Sequence, residues 1–182
     1  MKNLWGKIKI ARDIILNVKN WPIVFSKIFK IIKSNVILFS FRNGLTLKIE
    51  KAKGKYETSG LATIWEIIIK RNYTPKGFEI KPEDCVIDIG ANIGIFSLYA
   101  AKRAYKGKVY SYEPFNPHYN RFVKNISLNN LSNVKAFNLA ISKKEGMRNL
   151  FISKISSGMH SLLGGGAKRS DSGNNPQQDY RC

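Results

Sequence analysis

The chain has 182 residues, with 31 Lys and Arg against 12 Asp and Glu, for a net charge of +19. At 43% hydrophobic and 12% aromatic it carries enough apolar side chain for a core, which excludes a disordered basic tail. Two cysteines, Cys85 and Cys182, exclude a disulfide scaffold, and no Cys/His cluster points to a metal. Residues 1–55 hold 13 basic and 2 acidic side chains, so the positive field is concentrated in the amino-terminal third. Such a field favours anionic partners: phospholipid head groups, nucleic acid, or acidic glycans.

No apolar run reaches the ~20 residues of a spanning helix, and no clean export signal is present. The expectation is a cytoplasmic chain whose residues 1–34 form a basic amphipathic helical segment. One helix covers about Leu4 to Val18. A second begins at Asn20 and Pro22, read as a capping residue and a first-turn proline, and runs to about Lys33. Trp5, Ile8, Ile15, Trp21, Phe25, Ile28, Phe29 and Ile32 form the apolar stripes of the two helices, which either pack on the next segment or touch an anionic membrane.

Residues 35–80 are a hairpin and helix lead-in. Period-two alternation places Val36, Leu38 and Ser40 on one face and Ile37, Phe39 and Phe41 on the other. Asn43-Gly44 is a hairpin turn signal, and Leu45 to Ile49 returns as the second strand. Lys51 to Lys55 reads as a basic loop, and Leu61 to Arg71 as a helix, its triple isoleucine Ile67-Ile68-Ile69 also fitting a buried strand.

In residues 81–163 strands and helices alternate: a strand from Cys85 to Ile89, a glycine loop, a helix from Ile95 to Arg103, a strand from Lys108 to Tyr112, a helix started by Asn116-Pro117, and a strand from Val134 to Leu139. This is a doubly wound α/β sheet. The loop Gly90-Ala91-Asn92-Ile93-Gly94 departs from the dinucleotide pattern, because Asn92 replaces the second glycine and Gly94 comes one residue early. No phosphate loop of the G-x-x-x-x-G-K-[ST] type occurs. Glu113, at the end of the second strand, is placed to accept hydrogen bonds from ribose hydroxyls. His118 and His160 sit in no triad-like context and read as solvated or structural.

Asp88-x-Gly90-x-Asn92-x-Gly94 resembles the first motif of class I S-adenosylmethionine-dependent methyltransferases. The run from Val86 to Ser97, with Tyr112-Glu113-Pro114, is similar to the FkbM family, and the likeness extends over about residues 36–163. The resemblance implies a Rossmann-like fold and methylation of a hydroxyl on a glycan or similar small molecule. It also implies that Asp88, Gly90, Ala91, Asn92 and Gly94 surround the methionine part of S-adenosyl-L-methionine. Glu113 would hold the ribose, and Pro114 and Phe115 would lie near the adenine. No catalytic base is implied.

Only three sheet strands are firm, and residues 164–182 read as a polar, disordered tail, so the expectation is an incomplete sheet: a family member truncated at its carboxyl end, or else a fragment completed by another chain. The alternative is a non-catalytic basic module that binds a membrane or a partner. A nucleic-acid enzyme is set aside because no recognised binding motif is present.

Overall fold

The structure, a computed structural model, describes residues 2–29, 31–52, 55–56, 63–143, 145–151 and 177–181. The start of the expected helix at Leu61, Ser157 to Leu162 and residues 164–176 of the polar tail lie outside the described residues, as does the side chain of Trp5.

Helix α1 (Lys2–Asn17) and helix α2 (Trp21–Ile28) form from the amphipathic segment. Val18 and Val24 are buried, with Ile14, Trp21 and Ile28 packed beside them. Helix α2 ends five residues before the expected Lys33. A short helix draws its stability from packing, and Ile31 and Ile32 beyond its end are 78% and 48% exposed. Ser34 then takes over the local bonding: its hydroxyl donates to the Val36 carbonyl at 2.7 Å and accepts from the Val36 N–H at 3.1 Å. Asn20 makes no capping bond. Its amide instead donates to the Leu38 carbonyl (2.8 Å) and accepts from the Ser40 N–H (2.9 Å), tying the helix entry to the first strand.

Strand β1 (Val36–Ser40) pairs antiparallel with β2 (Thr46–Ala52), with Ser40 opposite Thr46. The turn forms as its sequence predicts: Gly44 adopts φ +82°, and the Asn43 side chain accepts from the Leu45 N–H at 3.1 Å. Ile37, Phe39 and Phe41 are buried on one face. The described ends of the expected basic loop are sheet: β2 runs to Ala52, and β3 (Lys55–Tyr56) pairs back on it. The lysine-rich sequence reads as loop, but ladder bonds are made by backbone, which its charge does not prevent. The helix expected to reach Arg71 is a π-turn over Trp65–Ile69, closed by the Lys70 N–H on the Trp65 carbonyl at 2.9 Å.

Strands β4 (Cys85–Ile89), β5 (Lys108–Tyr112) and β6 (Val134–Phe137) make a parallel sheet in that order. Helix α3 (Ile95–Arg103) connects the first pair and helix α4 (Asn116–Leu128) the second. This is the Rossmann-like α/β arrangement expected. Strand β6 stops short of Leu139 because Asn138 turns its amide onto the carbonyls of Glu113 (2.8 Å) and Pro114 (3.0 Å). Asn116 is not the cap of α4; Phe115 holds that position and no side chain bonds there, the start being set by Pro117. His118 is buried, its ring edge-on to Phe115. Strand β8 (Gln177–Arg181), read from sequence as part of a disordered tail, pairs antiparallel with β7 (Met147–Phe151). Its polar side chains gave no periodic signal, but pairing of main-chain groups needs none.

One apolar core joins the lead-in to the sheet: Val18, Ile37, Phe39, Leu47, Ile67 and Leu98 belong to a single cluster. Helix α4 fastens the hairpin to the glycine loop. Asn125, fully buried, accepts from the Lys48 N–H (2.8 Å) and donates to the Ile93 carbonyl (2.9 Å). Asn129, one turn on, accepts from the Thr46 N–H (2.7 Å) and donates to its carbonyl (2.6 Å). Two asparagines at i, i+4 thus satisfy the outer edge of β2 as a neighbouring strand would. Across the sheet, Ile87 and Ile89 of β4 are each 64% exposed.

Gly94 closes the loop at φ +87°, and a Cβ there would lie 2.0 Å from the ring of the buried Phe122. Gly94→Ala is therefore expected to lose about 2–4 kcal/mol, from overpacking plus left-handed strain. Urea unfolding measures it, and a variant as stable as the parent would contradict the close packing.

Candidate functional site

The site is built at the carboxyl ends of β4 and β5. Strand β4 delivers Asp88, and the chain then turns through Gly90 (φ +84°) and Asn92 (φ +53°) before entering α3. Asparagine is among the few residues with a side chain that tolerate this left-handed backbone, which is how Asn92 stands where another glycine would serve. Its side-chain oxygen accepts from the Ile93 N–H at 2.8 Å. The backbone N–H groups of Gly90 and Ala91 both donate to the Tyr112 carbonyl, at 2.9 and 3.0 Å, so the loop is tied to the end of β5.

Glu113 supplies the second tie. One carboxylate oxygen accepts from the Asn92 N–H at 2.7 Å and the other from the Phe115 N–H at 2.8 Å. The residue is 5% exposed. In this form it braces the loop rather than presenting both oxygens to a cavity. Asp88 accepts from the Ser97 hydroxyl, which in turn accepts from the Ser111 hydroxyl at 2.8 Å. Sequence reasoning missed this serine relay, because its two hydroxyls lie on different elements, 14 residues apart.

A cavity of about 310 Å³ opens beside the loop. Asp88, Gly90, Ala91 and Asn92 line it; Gly94, Glu113, Pro114 and Phe115 do not. The opposite wall comes from Thr63 and Ile67 of the π-turn region and from Tyr73 and Phe96, whose rings lie 5.5 Å apart. Thr63, Ile67 and Phe96 fall in expected helices and Tyr73 carries no sequence signal, since apolar periodicity does not distinguish a wall from an interior. Among the described residues no group of His, Cys, Asp and Glu could hold a metal ion.

Burial raises the pKa of Asp88, opposed by its bond from Ser97. Burial raises that of Glu113 as well, opposed by the Phe115 and Asn92 N–H groups and reinforced by the charge of Asp88. Two carboxylates are thus held where a neighbouring cation would be welcome. A raised folded pKa means the folded chain binds protons that the unfolded chain has released. The stability from this source is complete below the ordinary carboxylate range and is lost as pH rises through the raised value. Asp88→Asn keeps an acceptor for Ser97 and removes the titration. Its urea midpoint is expected to fall less than the parent's as pH rises through that window; parallel curves would contradict the assignment.

Comparison with known proteins adds the following. A family model described as "Vibrio cholerae RfbT protein" matches residues 20–164. The AMB antimetabolite synthetase AmbE of Pseudomonas aeruginosa is 36% identical over 80 residues, 44% of this chain and 4% of that protein. Methyltransferase sdnD of Sordaria araneosa is 39% identical over 62 residues, 34% of this chain and 24% of that protein. The crystal structure of P. horikoshii TYW2 in complex with MeSAdo aligns with a TM-score of 0.43 at 27% identity, covering 59% of this chain and 37% of that one. The chain therefore spans well under half the length of each of these relatives.

Proposed function

The chain belongs to the family of the Vibrio cholerae RfbT protein, and from that premise we propose that it is an S-adenosylmethionine-dependent methyltransferase of FkbM-like type. The observation that carries the reading is the glycine loop between β4 and α3, with two buried carboxylates converging on it and a cavity at its mouth. The similarity to a relative named methyltransferase supports it. In this reading residues 81–163 are the cofactor-binding part, residues 35–80 its hairpin and helix lead-in, and residues 1–34 the basic helical segment ahead of them.

In this reading the loop backbone at Gly90, Ala91 and Asn92 lies along the methionine part of the cofactor, where a side chain at Gly90 would intrude. Asp88 offsets the positive charge of the sulfonium and the amino group. A carboxylate has about four lone-pair positions. Two of those on Glu113 are taken by backbone N–H groups, and the remaining pair suits the vicinal hydroxyls of a ribose once the side chain shifts toward the cavity. Pro114 and Phe115 flank the adenine. The methyl donor supplies the electrophile. The protein's part is to hold an acceptor oxygen in line behind the methyl group and to receive its proton. The acceptor is a hydroxyl of a glycan or similar small molecule. Exposed Phe29 and Ile31, beside Lys27 and Lys33, suit peripheral contact with an anionic membrane.

Isothermal titration of the full chain with S-adenosylmethionine and with S-adenosylhomocysteine tests the reading. Saturable binding is expected, weakened about tenfold or more in Asp88→Ala and in Glu113→Ala. No heat with either compound, or affinities unchanged by both substitutions, would refute it.

A further inference from the structure

The π-turn has a second cavity on its other side. Whereas Ile67 faces the glycine loop, Lys70, Arg71 and Lys76 line a separate cavity of about 310 Å³ with Arg103 from the end of α3. Among the described residues none of these four cations forms an ion pair. The guanidinium of Arg103 lies 4.6 Å from the centre of the Tyr99 ring, and among the described residues its N–H groups make no hydrogen bond or ion pair. Glu79 is the one acid in the lining, and it is already occupied: its carboxylate accepts from the Gly77 N–H at 2.9 Å, and backbone hydrogen bonds hold its pKa below the usual value.

The cavity also has a donor to spare. Thr74 and Tyr99, 7% and 3% exposed, both line it, and their hydroxyls bond each other at 2.9 Å. Two hydroxyls carry two protons, and one bond uses one of them. The other O–H finds no acceptor among the described residues, although a buried donor left unmet is costly. An oxygen-rich anion would meet that need while offsetting much of the positive charge of the four cations. We propose that this cavity binds a phosphate group, as a monoester or a diphosphate, with Lys70, Arg71, Lys76 and Arg103 as cationic contacts and the Thr74–Tyr99 hydroxyl pair donating from the buried side. Phosphate suits it better than carboxylate because two negative charges and several acceptor oxygens are matched at once. The site does not depend on how the glycine loop is used.

The test titrates the full chain with inorganic pyrophosphate by calorimetry and, separately, measures co-sedimentation with phosphatidylcholine vesicles with and without phosphatidic acid. These arms distinguish a soluble phosphate from a lipid head group. Two variants are compared with the parent: Arg71→Gln/Lys76→Gln in the cavity, and Lys9→Gln/Lys19→Gln, which removes the same charge from the amino-terminal segment. The expected result is saturable binding in at least one arm. It should weaken about tenfold or more in the cavity variant and less than half as much in the control, the loss corresponding to charged hydrogen bonds. If the double variant does not fold, judged by its melting transition without phosphate, Lys76→Gln alone is used and a smaller loss in the same direction is expected. No saturable binding in either arm, or an equal loss in the two variants, would overturn the proposal.

Discussion

The structure of the candidate site depends on one buried carboxylate. Glu113 sits at the end of β5, yet its two oxygens reach the N–H of Asn92 in the preceding loop and the N–H of Phe115 ahead of α4. Removing either acceptor would leave a backbone donor unmet in a region largely shut off from water, at a cost of about 1–3 kcal/mol. The loop needs this brace because three of its five positions adopt left-handed backbone, which few chains hold without support. With the brace in place, Gly90 and Ala91 bond the Tyr112 carbonyl, and Gly94 closes against Phe122.

A second layer of polar bonds carries that rigidity outward. Asn125 joins the hairpin edge to Ile93 of the same loop, and Asn129 repeats the contact one turn along α4. The hairpin and the helices ahead of it thus share one core with α3 and support the loop from behind. The π-turn completes the scheme. Its wide spacing sends Ile67 to one cavity and Lys70 to the other, so a single turn of chain separates an apolar-walled pocket beside two acids from a basic one.

Much of this was legible in the residues. Gly44 after Asn43, the glycines around Asn92, and alternating apolar runs fix local geometry, and local geometry is what a sequence states most directly. The loop between β4 and α3 and the three parallel strands followed. The role of Glu113 was only half legible: its position at a strand end marks it as a candidate site residue, but its engagement with Asn92 and Phe115 depends on three-dimensional closure. The same holds for Asn20 and Asn116, where a local capping signal was outcompeted by a distant strand and by Pro117. Strand β8 was illegible because ladder pairing uses main-chain groups that every residue but proline carries, so its sequence shows no pattern for it. The cavity wall at Tyr73 and Phe96 was missed because Phe96 reads as part of a packed helix and Tyr73 lies beyond any periodic segment.

The proposed function requires the braced loop from Gly90 to Gly94 to receive the cofactor. Amide resonances of the uniformly ¹⁵N-labelled full chain, followed during titration with S-adenosylhomocysteine, test it most directly. The account predicts that the largest shifts fall on Gly90, Ala91 and Asn92, with the hairpin turn at Gly44 unmoved. Loop amides that stay in place while other regions respond would contradict it.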